Sequence, residues 1–494
     1  MTSTSTTADN TTDQLLDVVI VGSGFSGLAA AVETKQRGIS NWLMLEKSDD
    51  VGGVWRENTY PGAACDVPWH LYSFSFFRKS GFSRRYPHQD EILGYQQDCA
   101  RHFDLYENAI FGVEVVSATW QHNESHWLIT AKDGRTWRSR AVVMGVGQLS
   151  RPGWPNIPGR DSFKGDSFHS AVWDHSIPLK GRKVGVIGTG ASAIQFIPHV
   201  AEDASELTVF QRSAPYLLPR IDGLYGSINR ALFRSFPGYE RPFRYLLWKS
   251  GEMSTVAFDQ PGSKTAELYH KVSMWHLNRQ IKDDALREKL TPDYTIGCKR
   301  ILFSSNYYPA LQQPHVSLET KNIKRITKDG ITLEDGSKVD LDVIIYGTGF
   351  KATEFLSPIE ITGRDGKALS DEWQQGAEAY KGITVPHFPN LFLMYGPNTN
   401  LGGNSIIYMI ECQMRYVGDA LSKLQDHSWI AVKPEVARHY NDQLQQRLSH
   451  TVWATGCESW YHNAAGRITN NWPGRTAEYR KLTKKVDLND YELG

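Results

Sequence analysis

Short apolar runs rich in β-branched residues recur along the chain: DVVIVG (17–22), NWLMLE (41–46), AVVMGVG (141–147), KVGVIG (183–188), ELTVFQ (206–211) and DVIIYGTGF (342–350). Runs of this length that lack strict polar alternation predict strands buried on both faces, as in a parallel sheet. DVVIVG leads into Gly22-Ser-Gly24-Phe-Ser-Gly27 and then LAAAVETKQRG, helical in composition and ending at Gly38. NWLMLE follows and closes on Glu46. The same order returns with KVGVIG, Gly188-Thr189-Gly190-Ala-Ser192-Ala193, a helix AIQFIPHV and the strand ELTVFQ, closing on Arg212. In both units the first glycine and the closing charged residue are 24 positions apart. Between about 220 and 300 this rhythm stops, and aromatic and charged residues recur at helical spacing, which predicts a helical insertion.

Each glycine of the first turn has its own task in a dinucleotide fold. Gly22 permits the tight turn, Gly24 lets backbone approach a pyrophosphate, and Gly27 lets helix pack on strand. The helix N-terminus then presents unpaired N–H groups to the phosphates. Glu46 arrives where a carboxylate bonds both hydroxyls of an adenosine ribose. The second unit offers Gly188, Thr189, Gly190 and Ser192 at its turn, and Arg212 in place of the acid. A guanidinium there grips a 2′-phosphate, so the second unit is expected to select NADPH over NADH. Two such units of opposite polarity imply FAD reduced by NADPH. The expected fold class is α/β, with two dinucleotide-binding (Rossmann-like) domains, the FAD domain discontinuous and the NADP domain inserted. The expected boundaries are a disordered tail at 1–13, a first FAD part at 14–150 and a Pro/Gly-rich linker at 151–180. An NADP domain follows at 181–340, and a second FAD part with a C-terminal active-site segment at 341–494.

Composition narrows this picture. At 494 residues the chain is long enough for two or three domains, and 40% hydrophobic with 22% charged residues is ordinary for a globular protein. Lys+Arg and Asp+Glu both number 54, so no net field gathers the chain onto nucleic acid or an anionic membrane. The five cysteines, Cys65, Cys99, Cys298, Cys412 and Cys457, form no C-x-x-C pair, against a zinc site or a dithiol redox centre. Their number and spacing also argue against a disulfide framework and for a reducing compartment. The opening MTSTSTTADNTT is small and polar, unlike a signal peptide, and no apolar stretch near it is long enough to span a bilayer. A cytoplasmic enzyme without a metal is therefore expected.

Two further motifs carry a family likeness. Phe163-Lys-Gly165-Asp-Ser-Phe-His169-Ser-Ala-Val-Trp173-Asp174 matches in full the F-x-G-x-x-x-H-x-x-x-W-[P/D] motif of Baeyer–Villiger monooxygenases. Gly52-Gly-Val-Trp55-Arg-Glu-Asn-Thr-Tyr60-Pro61-Gly62-Ala-Ala-Cys-Asp66 is similar to that family's pattern downstream of the FAD fingerprint. His169 and Trp173 stand at i and i+4, so packing on one face of a short helix would explain them equally well. The one departure is Tyr346-Gly347-Thr348-Gly349-Phe350, where the family often has A-T-G-F.

The resemblance, which covers nearly the whole chain, implies oxidation of a ketone to an ester or lactone with O₂, through a C4a-peroxyflavin. Such chemistry needs a fixed cation beside anionic oxygen, and exclusion of water. The segment Gly297-Cys-Lys299-Arg300-Ile-Leu-Phe-Ser-Ser-Asn-Tyr307-Tyr308 resembles the family's K-R-x-x-x-x-x-x-Y-Y stretch. By that match Arg300 is the catalytic arginine, Asp66 orients it near the flavin, and Lys299 joins Arg212 at the NADP 2′-phosphate. Trp55, Tyr72 and Val115 fall where the family contacts FAD, Gln148 near the nicotinamide, and Trp460 on a loop that folds over NADP and substrate. The stretches 396–411 and 460–474 resemble the subgroup acting on aryl and open-chain ketones. Two other functions compete. A related flavin monooxygenase would oxidise sulfides or amines, and Trp173 and Arg300 speak against it. A redox sensor without turnover would need neither Arg300 nor NADP selectivity.

Overall fold

The computed structural model describes residues 12–494, apart from 79–81, 227, 229–230, 234–235 and 458. The apolar runs form two separate sheets. In the first, β1 (Thr12–Val21) lies parallel between β2 (Trp42–Leu45) and the long β6 (Thr136–Met144), with Val18 opposite both Trp42 and Ala141. A short β3 (Ala109–Ile110) continues the sheet beyond β2. On the far edge of β6 the partner changes along the strand. Its first half pairs antiparallel with β5 (His126–Ala131), which pairs with β4 (Val115–Gln121). Its second half pairs parallel with a strand from far along the chain, Leu391–Leu393.

The second sheet is wholly parallel. Its order is Val316–Glu319, β9 (Glu206–Phe210), β8 (Lys183–Ile187), Val343–Tyr346 and β7 (Asp166–His169). The expected boundaries shift accordingly. Val343–Tyr346 pairs on both sides within the second sheet, so the chain returns to the first sheet only after Tyr346, not at residue 341. β7, expected inside the linker, is the edge strand of that sheet. Most of the expected tail lies outside the described residues, while Thr12 already pairs with Trp137.

The helix α1 (Phe25–Gln36) is buried from Phe25 to Thr34. It is sandwiched between the first sheet and the long helix Ile406–Lys423, and Gly418 is what lets the two helices close. A Cβ at Gly418 would stand 2.4 Å from Glu33 Oε1. In the second unit α2 (Ala193–Asp203) packs Ile194, Phe196 and Ile197 onto the second sheet. The expected helical insertion contains α3 (Pro237–Ser254) and α4 (Lys264–Gln280). Glu252 of α3 is buried, and its carboxylate accepts from Thr476 N–H at 3.0 Å, Thr476 Oγ1 at 2.7 Å and Ala477 N–H at 3.2 Å. It thus caps the C-terminal helix Thr476–Leu482 and moors the insertion to the end of the chain.

The expectation against disulfides fails at one place. Cys298 and Cys457 are joined, bridging 159 residues, whereas Cys65, Cys99 and Cys412 are free and buried. Cysteine spacing carries no information about such a contact, because the tertiary fold alone brings the two segments together. No helix among the described residues is long and apolar enough to cross a membrane.

Among the glycines the tightest site is Gly27, where a Cβ would stand 1.8 Å from Gly22 O. Gly27→Ala is therefore expected to cost about 2–3 kcal/mol through overpacking. Urea unfolding measures this; an unshifted midpoint would mean that turn and helix separate freely.

Candidate functional site

Both helix–turn units deliver their N-termini to one cavity of about 2010 Å³. Gly24 precedes α1 and Ser192 precedes α2, and neither cap residue bonds its helix through its own side chain, while Phe25 N–H donates to the Gln96 carboxamide at 3.1 Å. Helix N-termini of this kind favour an anionic ligand. Gly22 takes φ +94° and Gly188 φ +108°, and a Cβ at either would press on a carbonyl, Gly145 O at 2.8 Å or Gly347 O at 2.4 Å. A Cβ at Gly190 would meet nothing within 4 Å, because that turn faces open space. These features fit two dinucleotides, one per unit.

Every candidate residue except Gly27 lines this cavity. Gly27 lies behind the turn, holding helix to strand. Glu46 is buried, its Oε2 accepting from Ser23 N–H and Ser23 Oγ, both at 2.7 Å, and its Oε1 from Ser48 N–H at 2.9 Å. Trp55 donates from Nε1 to the Tyr72 hydroxyl at 3.0 Å, and burial pushes the Tyr72 phenol well above its usual pKa. Val115 is a buried wall residue at the start of β4. Gln148 has both ends engaged, donating to Tyr395 O at 3.0 Å and accepting from Asn470 Nδ2 at 3.1 Å.

On the second unit, Thr189 Oγ1 donates to Ser213 O at 3.3 Å. Arg212, exposed just past β9, adjoins Ser213, whose Oγ accepts from Lys299 Nζ at 2.8 Å. Lys299 also lies over the Tyr294 ring, 4.5 Å from its centroid. Two cations 87 positions apart in the chain therefore flank one serine at the second nucleotide turn.

Between the units stands Arg300. Its guanidinium is held by Asp66 through Nη2 to Oδ1 at 2.8 Å, Nη2 to Oδ2 at 2.7 Å and Nε to Oδ2 at 3.1 Å. The Asp66 carboxylate raises the Arg300 pKa further above its already high value, against the opposing effect of burial. The group is a permanent cation fixed at the cavity wall, with 35% of its side chain accessible. Sequence reasoning did not find the polar residues behind it. Tyr395 OH donates to Asn400 Oδ1 at 2.8 Å, and Asn400 Nδ2 to Asn471 Oδ1 at 2.8 Å. Tyr461 is buried nearby, which pushes its phenol up to about 12. Tyr395 takes φ +58°, an unusual conformation for a tyrosine. A further part of the cavity wall comes from the insertion, through Leu247, Ser250, Gly251, Ser254 and Phe258, and from Leu401 to Asn404.

The linker motif does not form the expected short helix. His169 ends β7 and Trp173 follows a single 3₁₀ turn, so the two rings diverge. Trp173 packs on Phe168 and Phe196, at 5.0 and 5.2 Å between centroids, and His169 meets Trp154 edge-on at 5.4 Å.

Two dinucleotide turns opening onto one fixed cation define a flavin- and nicotinamide-dependent oxidoreductase. Similar proteins sharpen this. A family model for pyridine nucleotide-disulphide oxidoreductases matches residues 19–220, a segment that contains neither cysteine of the disulfide. A Baeyer–Villiger monooxygenase of Pseudomonas aeruginosa is 42% identical over 480 residues, covering 96% of this chain and 91% of that protein. Among solved structures, closed cyclohexanone monooxygenase matches with TM-score 0.88 and 28% identity over 98% of this chain and 100% of that one. The OTEMO complex with FAD and NADP matches with TM-score 0.87 and 28% identity, over 97% and 99%. The chain belongs to the Baeyer–Villiger monooxygenase family.

The His169 ring is buried, and its Nδ1 accepts from Ala171 N–H at 3.1 Å. Burial pulls its pKa from 6.5 down to about 4. Between those values the unfolded chain binds more protons than the folded one, so stability falls as pH drops through this window. His169→Asn is expected to give a shallower decline of Tm from about pH 6.5 to about pH 4 than the parent. Parallel Tm profiles for the two proteins would refute a buried neutral His169.

Proposed function

We propose that the chain is an FAD-containing, NADPH-dependent Baeyer–Villiger monooxygenase that inserts one oxygen atom of O₂ beside the carbonyl of a small-molecule ketone. The product is an ester or lactone. The observation that carries this reading is the Asp66-clamped Arg300, which opens into the cavity shared by both nucleotide turns. The chemistry supplied by the bound cofactors is hydride delivery from NADPH and activation of O₂ at the reduced flavin.

The protein's own groups divide the remaining tasks. Gly22, Gly24 and the α1 N-terminus take the FAD pyrophosphate and Glu46 its ribose, while Trp55, Tyr72 and Val115 wall the flavin. Gly188, Thr189, Gly190 and Ser192 take the NADPH pyrophosphate. Arg212 and Lys299 take its 2′-phosphate, and Gln148 lies on the nicotinamide side. Arg300 holds the ketone oxygen and stabilises the negative charge that develops there. A guanidinium keeps its proton in a dry site where a lysine would lose it. Asp66 positions Arg300, and Trp460 closes the cavity against water.

The first test is Arg300→Ala. Flavin reduction by NADPH is expected to survive, while ester formation, assayed by product mass across a panel of ketones, falls by roughly 10²–10³ or more. Undiminished ester yield would remove Arg300 from the reaction. Sulfoxide from a thioether with no ester from any ketone, in the parent protein, would move the assignment to sulfur oxidation. Arg212→Ala is expected to raise KM for NADPH about tenfold, matching loss of a charge-assisted bond worth about 1.5 kcal/mol, with little change for NADH. Equal effects on both nucleotides would refute the 2′-phosphate contact.

A further inference from the structure

The disulfide lies where two segments of the site meet. Cys298 immediately precedes Lys299 and Arg300, and Cys457 stands three residues before Trp460. Cys298 is fully buried, in a cluster with Phe258, Val452 and Trp453. Cys457 is only partly buried and belongs to an exposed arc. Before it, Val452 and Trp453 anchor the chain in the core, and after it Tyr461 is buried again. Ala454, Thr455 and Gly456 are exposed between these anchors. Among the described residues, no backbone hydrogen bond is donated by Gly456, Cys457, Ser459 or Trp460. Trp460 leans on Tyr461 with ring centroids 4.4 Å apart, and Ser459 and Trp460 line the cavity together with Lys299 and Arg300.

A loop with so few backbone ties is held in place chiefly by whatever cross-links it to the body. We infer that the Cys298–Cys457 cystine is a positioning element of the site, pinning the Trp460 arc over the cavity beside Arg300, and that opening it loosens that cover. The consequence for turnover rests on the monooxygenase reading; the effect on nucleotide binding does not. Opening consumes two electrons and two protons from an external dithiol. Its thiolate attacks the partly exposed Cys457 sulfur and expels Cys298 as thiolate, and the dithiol ends as its own disulfide. Closing runs through hydrogen peroxide: one cysteine thiolate takes an oxygen to become a sulfenic acid, and the second thiol displaces water to form the S–S bond. Two thiols and one peroxide thus give one cystine and two waters. Peroxide is also what a poorly covered site releases when NADPH oxidation is not coupled to a ketone. Leakage would therefore close the tether that limits it.

The experiment compares the FAD-loaded enzyme after treatment with hydrogen peroxide and after treatment with dithiothreitol. Alkylation of the unfolded chain and intact mass then count thiols. Three are expected in the oxidised form, Cys65, Cys99 and Cys412, and all five in the reduced form. NADP⁺ affinity, from titration of the bound flavin spectrum, is expected to weaken several-fold on reduction, and peroxide released per NADPH to rise several-fold. Cys457→Ser should match the reduced enzyme and ignore dithiothreitol. Five thiols after peroxide treatment would overturn the inference. So would equal NADP⁺ affinity and peroxide release in both forms, or a dithiothreitol response that persists in Cys457→Ser. If no form makes an ester, the monooxygenase reading fails, while the difference in NADP⁺ affinity still decides the tether.

Discussion

A guanidinium lodged between two nucleotide folds is stable only if a carboxylate meets it there, and the contact of Asp66 with Arg300 meets that condition. With 35% and 22% of their side chains accessible, Arg300 and Asp66 are only partly desolvated, and each offsets that cost for the other. The two residues are 234 positions apart, Asp66 beyond the first turn unit and Arg300 beyond the insertion. The pair therefore fixes how the insertion's exit lies against the first domain. Tyr395, Asn400 and Asn471 form a hydrogen-bonded chain behind it.

The two turn units impose a second constraint. Backbone must approach backbone more closely than any side chain allows at Gly22, Gly27 and Gly188, and that closeness brings the helix N-termini to the cavity floor. Glycines are needed at the opposite wall for another reason, to receive side chains. A Cβ at Gly251 would meet Asn404, one at Gly402 the Phe258 ring, and one at Gly403 Ser254 Oγ, at 2.7, 2.8 and 2.3 Å. There side chains of the insertion and of the segment after Leu401 seat against each other's glycines.

The strand–turn–helix units were legible in the sequence because their logic is local. Two or three glycines in six residues, followed by a charged residue at a fixed interval, need no knowledge of distant chain. The insertion was legible for a similar reason, as a loss of strand rhythm. What spacing could not supply is pairing over long separations. Arg300 and Asp66 were reachable only through family likeness, and the Cys298–Cys457 bond was not reachable at all. The strand Val343–Tyr346 was assigned to the wrong side of a boundary, since its apolar run fits either sheet and its neighbours β7 and β8 decide. The linker motif misled because i, i+4 spacing has no helical meaning once Asp166–His169 has paired as an edge strand.

This division between local and distant determinants also bears on substrate choice. The cation, its carboxylate and the nucleotide turns are common requirements of the chemistry, whatever ketone is bound. The wall facing them is not: Leu247, Ser250, Ser254 and Phe258 come from the helical insertion. Glu252 moors that insertion to the C-terminal helix and bonds Asn404 Nδ2 at 3.0 Å, so α3 cannot shift without moving the segment opposite. A change in cavity shape must then arise in one of two ways. Either side chains change on a rigid wall, or the wall moves as a unit about the buried Glu252 carboxylate. The glycine seam favours the first, because side chains seated against Gly251, Gly402 and Gly403 leave little slack for sliding, and a larger residue at any of these positions would press on them.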